Sequence, residues 1–198
     1  MKDSIRLAPS QVKQASDVLY RAFFQDPLVR YMLPDEARRT QVLPSFYRIV
    51  VRYALRYGEV YTTSTVDGVA CWLTPGNTTV SSWKLLRVAP TALFSFRLSE
   101  LQRNTIYSRY TDEAHEHAIS GPHWYLWGLG VEPSCQHQGL GGQLIQPVLA
   151  RADRAGLPCY LETTNDVNLP FYEKHGFTVM SDGVVPGTRL RVWGMRRK

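Results

Sequence analysis

Glycine and amide side chains are concentrated at residues 136–142, which read Gln-His-Gln-Gly-Leu-Gly-Gly. They follow an apolar run from Trp124 to Val131, which has the length of a buried strand, and a helical pattern of apolar residues comes after them. The first N–H groups of a helix have no intrahelical partner and can bind an anion. Glycine allows a ligand to approach the backbone closely. The stretch therefore predicts a phosphate-binding loop.

The spacing of this loop argues against two common phosphate-binding motifs. A P-loop ends in Gly-Lys-Ser/Thr, and residues 136–142 contain no lysine. A dinucleotide-binding motif needs G-x-G-x-x-G directly after a strand. Gly128 and Gly130 begin that spacing, but they lie inside the predicted strand and Pro133 occupies the third position. A tight strand-to-helix turn without a ligand is the alternative that the loop alone leaves open.

A second polar and aromatic stretch, NDVNLPFYEKHGF at 165–177, follows the next apolar run. Together with the pattern Gln-x-x-Gly-x-Gly at 136–141, it resembles the two acyl-CoA-binding signatures of the Gcn5-related N-acetyltransferase (GNAT) superfamily. The segments PHWYL at 122–126, LETT at 161–164 and NLPFYE at 168–173 are further similar to the group that includes puromycin N-acetyltransferase.

The resemblance implies a single α/β domain over residues 1–198, with a mixed central sheet, helices on both faces and a splayed central strand pair. It implies acetyl-CoA as co-substrate, bound by a core at 122–177, and no metal. Residues 75–121 are expected to be a variable helical insertion whose apolar residues either line an acceptor pocket or belong to the core. The expected cofactor-binding residues are Leu129, Gly130, Val131, Gln136, His137, Gln138, Gly139, Leu140, Gly141, Gly142, Asn165 and Asn168.

The resemblance also places Tyr172 near the thioester sulfur, as the proton donor to the leaving thiolate. A phenol has an ordinary pKa of about 10, so it is protonated at neutral pH and can donate. Packing in the core beside Phe171 is the structural alternative.

Glu162 is the candidate general base for the acceptor amine, because it lies in an apolar strand next to the predicted cleft. Burial there raises the pKa of a carboxyl group and makes it a better proton acceptor. A salt-bridged structural carboxylate is the alternative. Asp26 and Glu132 are weaker candidates, since Asp26 ends a helix and Glu132 begins a turn.

Composition excludes several other classes of protein. The chain has 198 residues, 44% of them hydrophobic and 20% charged, as in a globular domain. Its net charge of +6 fits the phosphates of coenzyme A better than a nucleic acid, because no basic run exceeds residues 196–198. His115 and His117 have the wrong helical spacing for a metal site.

The expected location is cytoplasmic. Neither a signal-peptide core nor an apolar stretch of the ~20 residues that a membrane span needs is visible. The three cysteines, Cys71, Cys135 and Cys159, are scattered and odd in number, which predicts reduced thiols. No nucleic-acid or membrane partner is expected, and the sequence leaves monomer and homodimer open.

The apolar periodicity predicts the elements that position these residues. A mixed sheet needs the strands and helices in alternation along the chain. We expect strands at 4–7, 60–64, 69–73, 124–131, 159–163, 177–182 and 190–196. We expect helices at 12–24, 35–57 with a break or kink at Pro44, 83–101 interrupted by Pro90, 112–120 with Thr111 or Asp112 as its cap, the segment after residue 142, and 168–175.

The expected function is acetyl transfer from acetyl-CoA to the amine of a small molecule, by direct attack in a ternary complex. The resemblance makes an aminonucleoside or another antibiotic-like amine a candidate acceptor. A non-catalytic acyl-CoA-binding sensor with the same fold is the main alternative, and the presence of Tyr172 argues against it. A dinucleotide-binding oxidoreductase that uses Gly139–Gly142 is a weaker one.

Overall fold

The computed structural model describes residues 4–90 and 96–198. Seven strands in this part of the chain form one sheet with the spatial order β1-β2-β3-β4-β5-β7-β6. The strands are β1 Ser4–Arg6, β2 Gly58–Thr63, β3 Gly68–Leu73, β4 Trp124–Val131, β5 Cys159–Thr163, β6 Thr178–Val184 and β7 Arg191–Arg197. The α-helices are α1 Val12–Phe23, α2 Pro27–Met32, α3 Glu36–Tyr57, α4 Ser82–Val88, α5 Leu98–Ala118, α6 Leu140–Ala155 and α7 Leu169–Lys174.

Helices cover both faces of this sheet, because successive residues of a strand point to opposite sides. Cys71 of β3 packs into a core cluster with α1 and α3, while its neighbour Trp72 packs with α6 on the other face. Strands β4 and β5 run parallel, and the other strand pairs are antiparallel. The predicted mixed α/β fold is therefore confirmed.

The central strands β4 and β5 pair over only part of their length. Their pairing ends at Leu126 and Leu161, whereas β4 continues along β3 to Val131. A register shift opposite Cys71 and Trp72 leaves Trp127 as an extra residue on β4. Such a β-bulge bends its strand. The two strands therefore open into the splay that the resemblance implies, with residues 127–131 of β4 along one side.

The helices differ from the predicted ones in three places. Helix α3 continues through Pro44 without a break, and the short helix α2 was not predicted. Helix α5 is one continuous element rather than a piece that starts at residue 112. The hydroxyl of Thr111 donates to the Tyr107 and Ser108 carbonyls inside α5, so Thr111 does not cap a helix.

The segment 75–121 divides its described apolar residues between core and surface. Leu85 and Phe96 pack against the cluster built by α1 and α3, whereas Trp83 and Leu98 are exposed. Its residues 91–95, including Phe94, lie outside the described part of the chain. Within that part, no helix is both long and apolar enough to cross a bilayer.

Candidate active site

The glycine-rich loop lies between β4 and α6, at the end of the splayed strand. A short 3-10 helix, Pro133–Cys135, leads into it. Residues 136–139 are exposed, and both His137 (φ 61°) and Gly139 (φ 80°) have left-handed backbone conformations. Helix α6 then begins at Leu140, so the free N–H groups of its first turn face this loop. The geometry is that of an anion-binding helix N-terminus.

The amide side chains of this loop hydrogen-bond to backbone carbonyls of the segment before it. Gln136 donates from Nε2 to the Val131 carbonyl at 3.1 Å, and Gln138 donates to the Ser134 carbonyl at 3.4 Å. These contacts give both glutamines a structural role in the loop. The backbone N–H groups are then the donors that an anionic ligand would meet.

The three glycines of the loop differ in what surrounds them. A Cβ at Gly141 would lie 3.2 Å from the Phe171 ring, and one at Gly142 would lie 2.7 Å from His175 Nε2. Those two glycines allow α6 to pack against α7. A Cβ at Gly139 would meet no described atom within 4 Å, so the space beside Gly139 is open to a ligand.

Gly139→Asp is expected to lower the affinity for acetyl-CoA by roughly tenfold or more, because like charges near a protein surface repel by ~1–4 kcal/mol. Aspartate tolerates the left-handed conformation. Gly156→Asp is the matched control, since Gly156 is left-handed, open and at the other end of α6. Calorimetric titration with acetyl-CoA measures both. Equal affinity in the two variants would show that the pyrophosphate does not bind at this loop.

The predicted pantetheine-binding residues Leu129, Gly130 and Val131 lie on the part of β4 that β5 leaves unpaired. The glycine at 130 has a packing role, since a Cβ there would lie 2.9 Å from Leu19 of α1. Gly128 faces space with no described atom within 4 Å of a Cβ. The splay is therefore open beside Gly128.

The two asparagines that are predicted to bind the cofactor stabilise the turn after β5. Asn165 accepts the Val167 N–H with its side chain at 3.2 Å, and Asn168 donates from Nδ2 to the Thr163 hydroxyl at 3.3 Å. The turn positions α7 beside the splay. A contact of either asparagine with acyl-CoA stays a prediction.

Tyr172 projects from α7 and is 8% exposed. Its ring packs edge-on against Phe171 and Phe177, as the core alternative expects. Its hydroxyl, however, forms no hydrogen bond within the described chain, and burial raises its pKa. A protonated phenol with no protein partner has the properties that a proton donor to a thiolate requires.

Glu162 is the first residue of β5 beyond the pairing with β4. Its neighbour Leu161 packs on the α6 face together with Tyr172, so Glu162 points to the opposite face of the sheet. The side chain is 5% exposed, and the Tyr125 hydroxyl donates to it at 2.6 Å. Burial raises the pKa of this carboxyl group to about 8. No arginine or lysine of the described residues pairs with it, which contradicts the salt-bridge alternative.

The two weaker carboxylate candidates differ in position. Glu132 forms an ion pair with Arg21 at 2.6 Å, which accounts for it structurally. Asp26 caps α2 by accepting the Leu28 N–H at 2.9 Å, and it also accepts the Thr164 hydroxyl from the turn after β5. Burial raises the pKa of Asp26, and its charge contributes to the raised pKa of Tyr172. Asp26 therefore lies close to both Tyr172 and the turn after β5.

A pocket of 410 Å³ adjoins Asp26, between the α1–α2 turn and the β6–β7 turn. Arg30 and Arg189 line it, and neither forms an ion pair with a described residue. Gln25, Pro27, Tyr31 and Leu190 complete its lining.

Sequence reasoning missed one feature of the site, the contact of His115 with Glu162. His115 lies on α5, far from Glu162 in the sequence, and its spacing from His117 gives no sign of the contact. His117 is exposed and does not contact Glu162. The three cysteines are unpaired. The described residues contain no group of three side chains suited to a metal ion.

Comparisons with known proteins agree with this geometry. The model of the acetyltransferase (GNAT) family matches residues 104–177. An uncharacterized N-acetyltransferase of Schizosaccharomyces pombe is 26% identical over 185 residues, which are 87% of this chain and 72% of the relative. Two solved structures have the same fold.

The first is a histone acetyltransferase HPA2 and related acetyltransferase from Corynebacterium glutamicum, with a TM-score of 0.68 and 20% identity over 100% of this chain and 96% of that one. The second is the PaiA N-acetyltransferase of Thermoplasma acidophilum in complex with coenzyme A, with a TM-score of 0.58 and 13% identity over 100% and 99% of the two chains. The predicted resemblance is thus confirmed.

Proposed function

We propose that this chain, an acyl-CoA-dependent acetyltransferase similar to the GNAT family, acetylates the amine of a small molecule by direct attack in a ternary complex. One observation carries the proposal. The splay between β4 and β5 has the free Tyr172 hydroxyl on one face and the buried Glu162 carboxyl group on the other. A thioester between them would meet a proton donor on one side and a proton acceptor on the other.

The described residues fit acetyl-CoA as the donor of the acetyl group. The open space beside Gly139 and the first turn of α6 suit the pyrophosphate, and the unpaired edge of β4 suits the amides of the pantetheine arm. The likeness to a fold solved with coenzyme A supports this assignment. The thioester supplies the activated acetyl group.

In the proposed reaction, Glu162 takes a proton from the acceptor amine, directly or through one water. The amine nitrogen forms the new bond to the acetyl carbon, and the carbon–sulfur bond breaks. Tyr172 donates its hydrogen to the sulfur as negative charge develops there. No step requires a covalent acyl-enzyme. After product release Glu162 loses its proton to solvent and Tyr172 regains one from solvent, so both groups return to their starting states.

The acceptor is proposed to enter through the pocket beside Asp26. A buried carboxylate near the splay favours binding of the amine as a cation before its deprotonation. Arg30 and Arg189 favour hydrogen-bond acceptors or a negative charge elsewhere on the molecule. The resemblance of residues 161–164 and 168–173 makes an aminonucleoside the first acceptor class to test.

We expect thiol release from acetyl-CoA with at least one amine of a panel that spans the acceptor classes. The panel holds puromycin, aminoglycosides, amino acids, polyamines, arylalkylamines and a peptide with a free N-terminal amine. Each amino acid is paired with its amide, which lacks the negative charge of the carboxylate. Turnover with one class identifies the acceptor. Stabilisation by acetyl-CoA of about 2.7 kcal/mol at 100 times its Kd, without turnover on any amine, would favour the non-catalytic sensor instead.

A further inference from the structure

Two histidines lie behind Glu162, on the side away from Tyr172. His115 comes from α5 and His123 from the turn before β4, and their Nε2 atoms are 2.8 Å apart. His123 is 6% exposed, and the His115 ring stacks on Tyr160 with a centroid distance of 4.1 Å. The acetyl transfer proposed above uses neither ring. A buried contact between two ring nitrogens restricts which of them can carry hydrogen.

The backbone determines the tautomer of both rings. His123 Nδ1 is 2.7 Å from the Gly121 carbonyl, which can only accept, so Nδ1 carries the hydrogen. Burial lowers the pKa of His123 and lowers that of His115 to about 4, so both rings are neutral at pH 7. His123 Nε2 is then an acceptor, and His115 must donate to it from its own Nε2.

The remaining nitrogen, His115 Nδ1, is therefore unprotonated, and it lies 3.7 Å from Glu162 Oε1. The other groups that face Glu162 are phenols and a like charge. Tyr125 of β4 donates to Oε2, while Tyr160 of β5 and Tyr107 and Asp112 of α5 lie nearby. An unprotonated nitrogen 3.7 Å from Oε1 places its partial negative charge beside the carboxyl group, which disfavours the ionised form relative to the protonated one.

We propose that His115 and His123 are positioning residues for Glu162. The Gly121 carbonyl sets the tautomer of His123, which in turn sets the tautomer of His115, and we call this pair of histidines the tautomer lock. The lock keeps an unprotonated nitrogen beside Oε1, so the protonated form of Glu162 is favoured over the ionised one. It keeps Glu162 a proton acceptor whose strength suits neutral to mildly basic pH. The role in catalysis rests on the proposed acetyl transfer, whereas the tautomers themselves do not.

The first test is nitrogen-15 NMR of the histidine side chains in the wild-type protein at pH 7. It measures the tautomers without any acceptor, so its outcome does not depend on the proposed function. We expect hydrogen on Nε2 of His115 and on Nδ1 of His123. Hydrogen on Nδ1 of His115, or a charged ring in either residue, would overturn the lock.

The second test is His123→Phe, which keeps the ring and removes its nitrogens. His115 is then free to carry hydrogen on Nδ1, and the positive end of that N–H group beside Oε1 favours the ionised Glu162. The midpoint of the kcat–pH profile should move to lower pH by about one unit. His117→Phe on the exposed side of α5 is the matched control and should leave the midpoint unchanged. A folded His123→Phe with the wild-type midpoint would contradict the proposal, and a wild-type protein without any acetylation would instead refute the proposed function.

Discussion

Tyr172→Phe is expected to lower kcat by roughly 100-fold, the usual size of a lost general acid, while the Kd for acetyl-CoA changes little. The ring of Tyr172 packs against Phe171 and Phe177, and phenylalanine preserves those contacts. Its hydroxyl has no partner within the described chain, so removing it leaves no buried group unsatisfied. Steady-state kinetics with the best acceptor, together with calorimetric titration of acetyl-CoA, measure the two effects separately.

Tyr57→Phe is the control for this substitution. Tyr57 ends α3 and also has a buried hydroxyl without a hydrogen bond, but it lies outside the splay. Its variant should keep the wild-type kcat. A Tyr172→Phe enzyme with unchanged kcat, in single-turnover measurements that isolate the chemical step, would remove Tyr172 from the reaction.

The sequence was sufficient to predict the elements around the acyl-CoA loop, because each has an independent local signal. The run from Trp124 to Val131, the glycines after it and the apolar stripe of α6 all indicate the same strand-turn-helix unit. The observed bounds of β4 and β5 agree with the predicted ones. The strand splay could be anticipated only through the family resemblance, since the bulge at Trp127 is a property of the pairing with β3.

The helices of the acceptor side were harder to predict because their local signals are ambiguous. A threonine can cap a helix or bond back to a carbonyl one turn earlier, and Thr111 does the latter. Helix α2 is six residues long, too short to show periodicity, although Asp26 followed by Pro27 is a usual helix start. Helix α3 accommodates Pro44 because packing against the sheet outweighs the lost hydrogen bond.

The burial of Glu162 could be predicted from the sequence, but its contact with His115 could not. An acidic residue between apolar neighbours on a strand indicates a buried carboxyl group, and the structure agrees. Its contact with His115 depends on where α5 ends and how the turn at Gly121 brings His123 back beside it. No spacing rule in the sequence encodes that approach, because it is set by tertiary packing.

Glu162→Gln is expected to lower kcat/KM by roughly 100-fold or more, since the variant cannot accept a proton. Glutamine has the shape of the protonated carboxyl group: its oxygen can accept the Tyr125 hydroxyl and its amide can donate toward His115 Nδ1. The fold should therefore be preserved. Glu113→Gln, an exposed carboxylate on α5, is the matched control and should behave as wild type.

The pH dependence of the wild-type enzyme should follow the same group. Glu162 must be ionised to accept a proton, and its pKa is about 8, so kcat should rise with pH and level off above that value. The Glu162→Gln variant should lose this rise. A wild-type profile that is flat between pH 6 and 9, with chemistry limiting the rate, would exclude Glu162 as the base.

The same substitution is expected to change stability in the opposite sense to activity. Burial raises the pKa of Glu162 from an ordinary 4.5 to about 8, so between these values the native state binds more protons than the unfolded state. The free energy of unfolding must then fall as pH rises through that window, and this contribution is lost above it. Glutamine carries no such penalty, so Glu162→Gln should have a higher Tm than the wild type at pH 9 and a smaller difference at pH 5. Calorimetry of both proteins at the two pH values measures how the difference in Tm changes with pH. A variant that loses stability equally at both would mean that Glu162 is ionised and well solvated in the native protein.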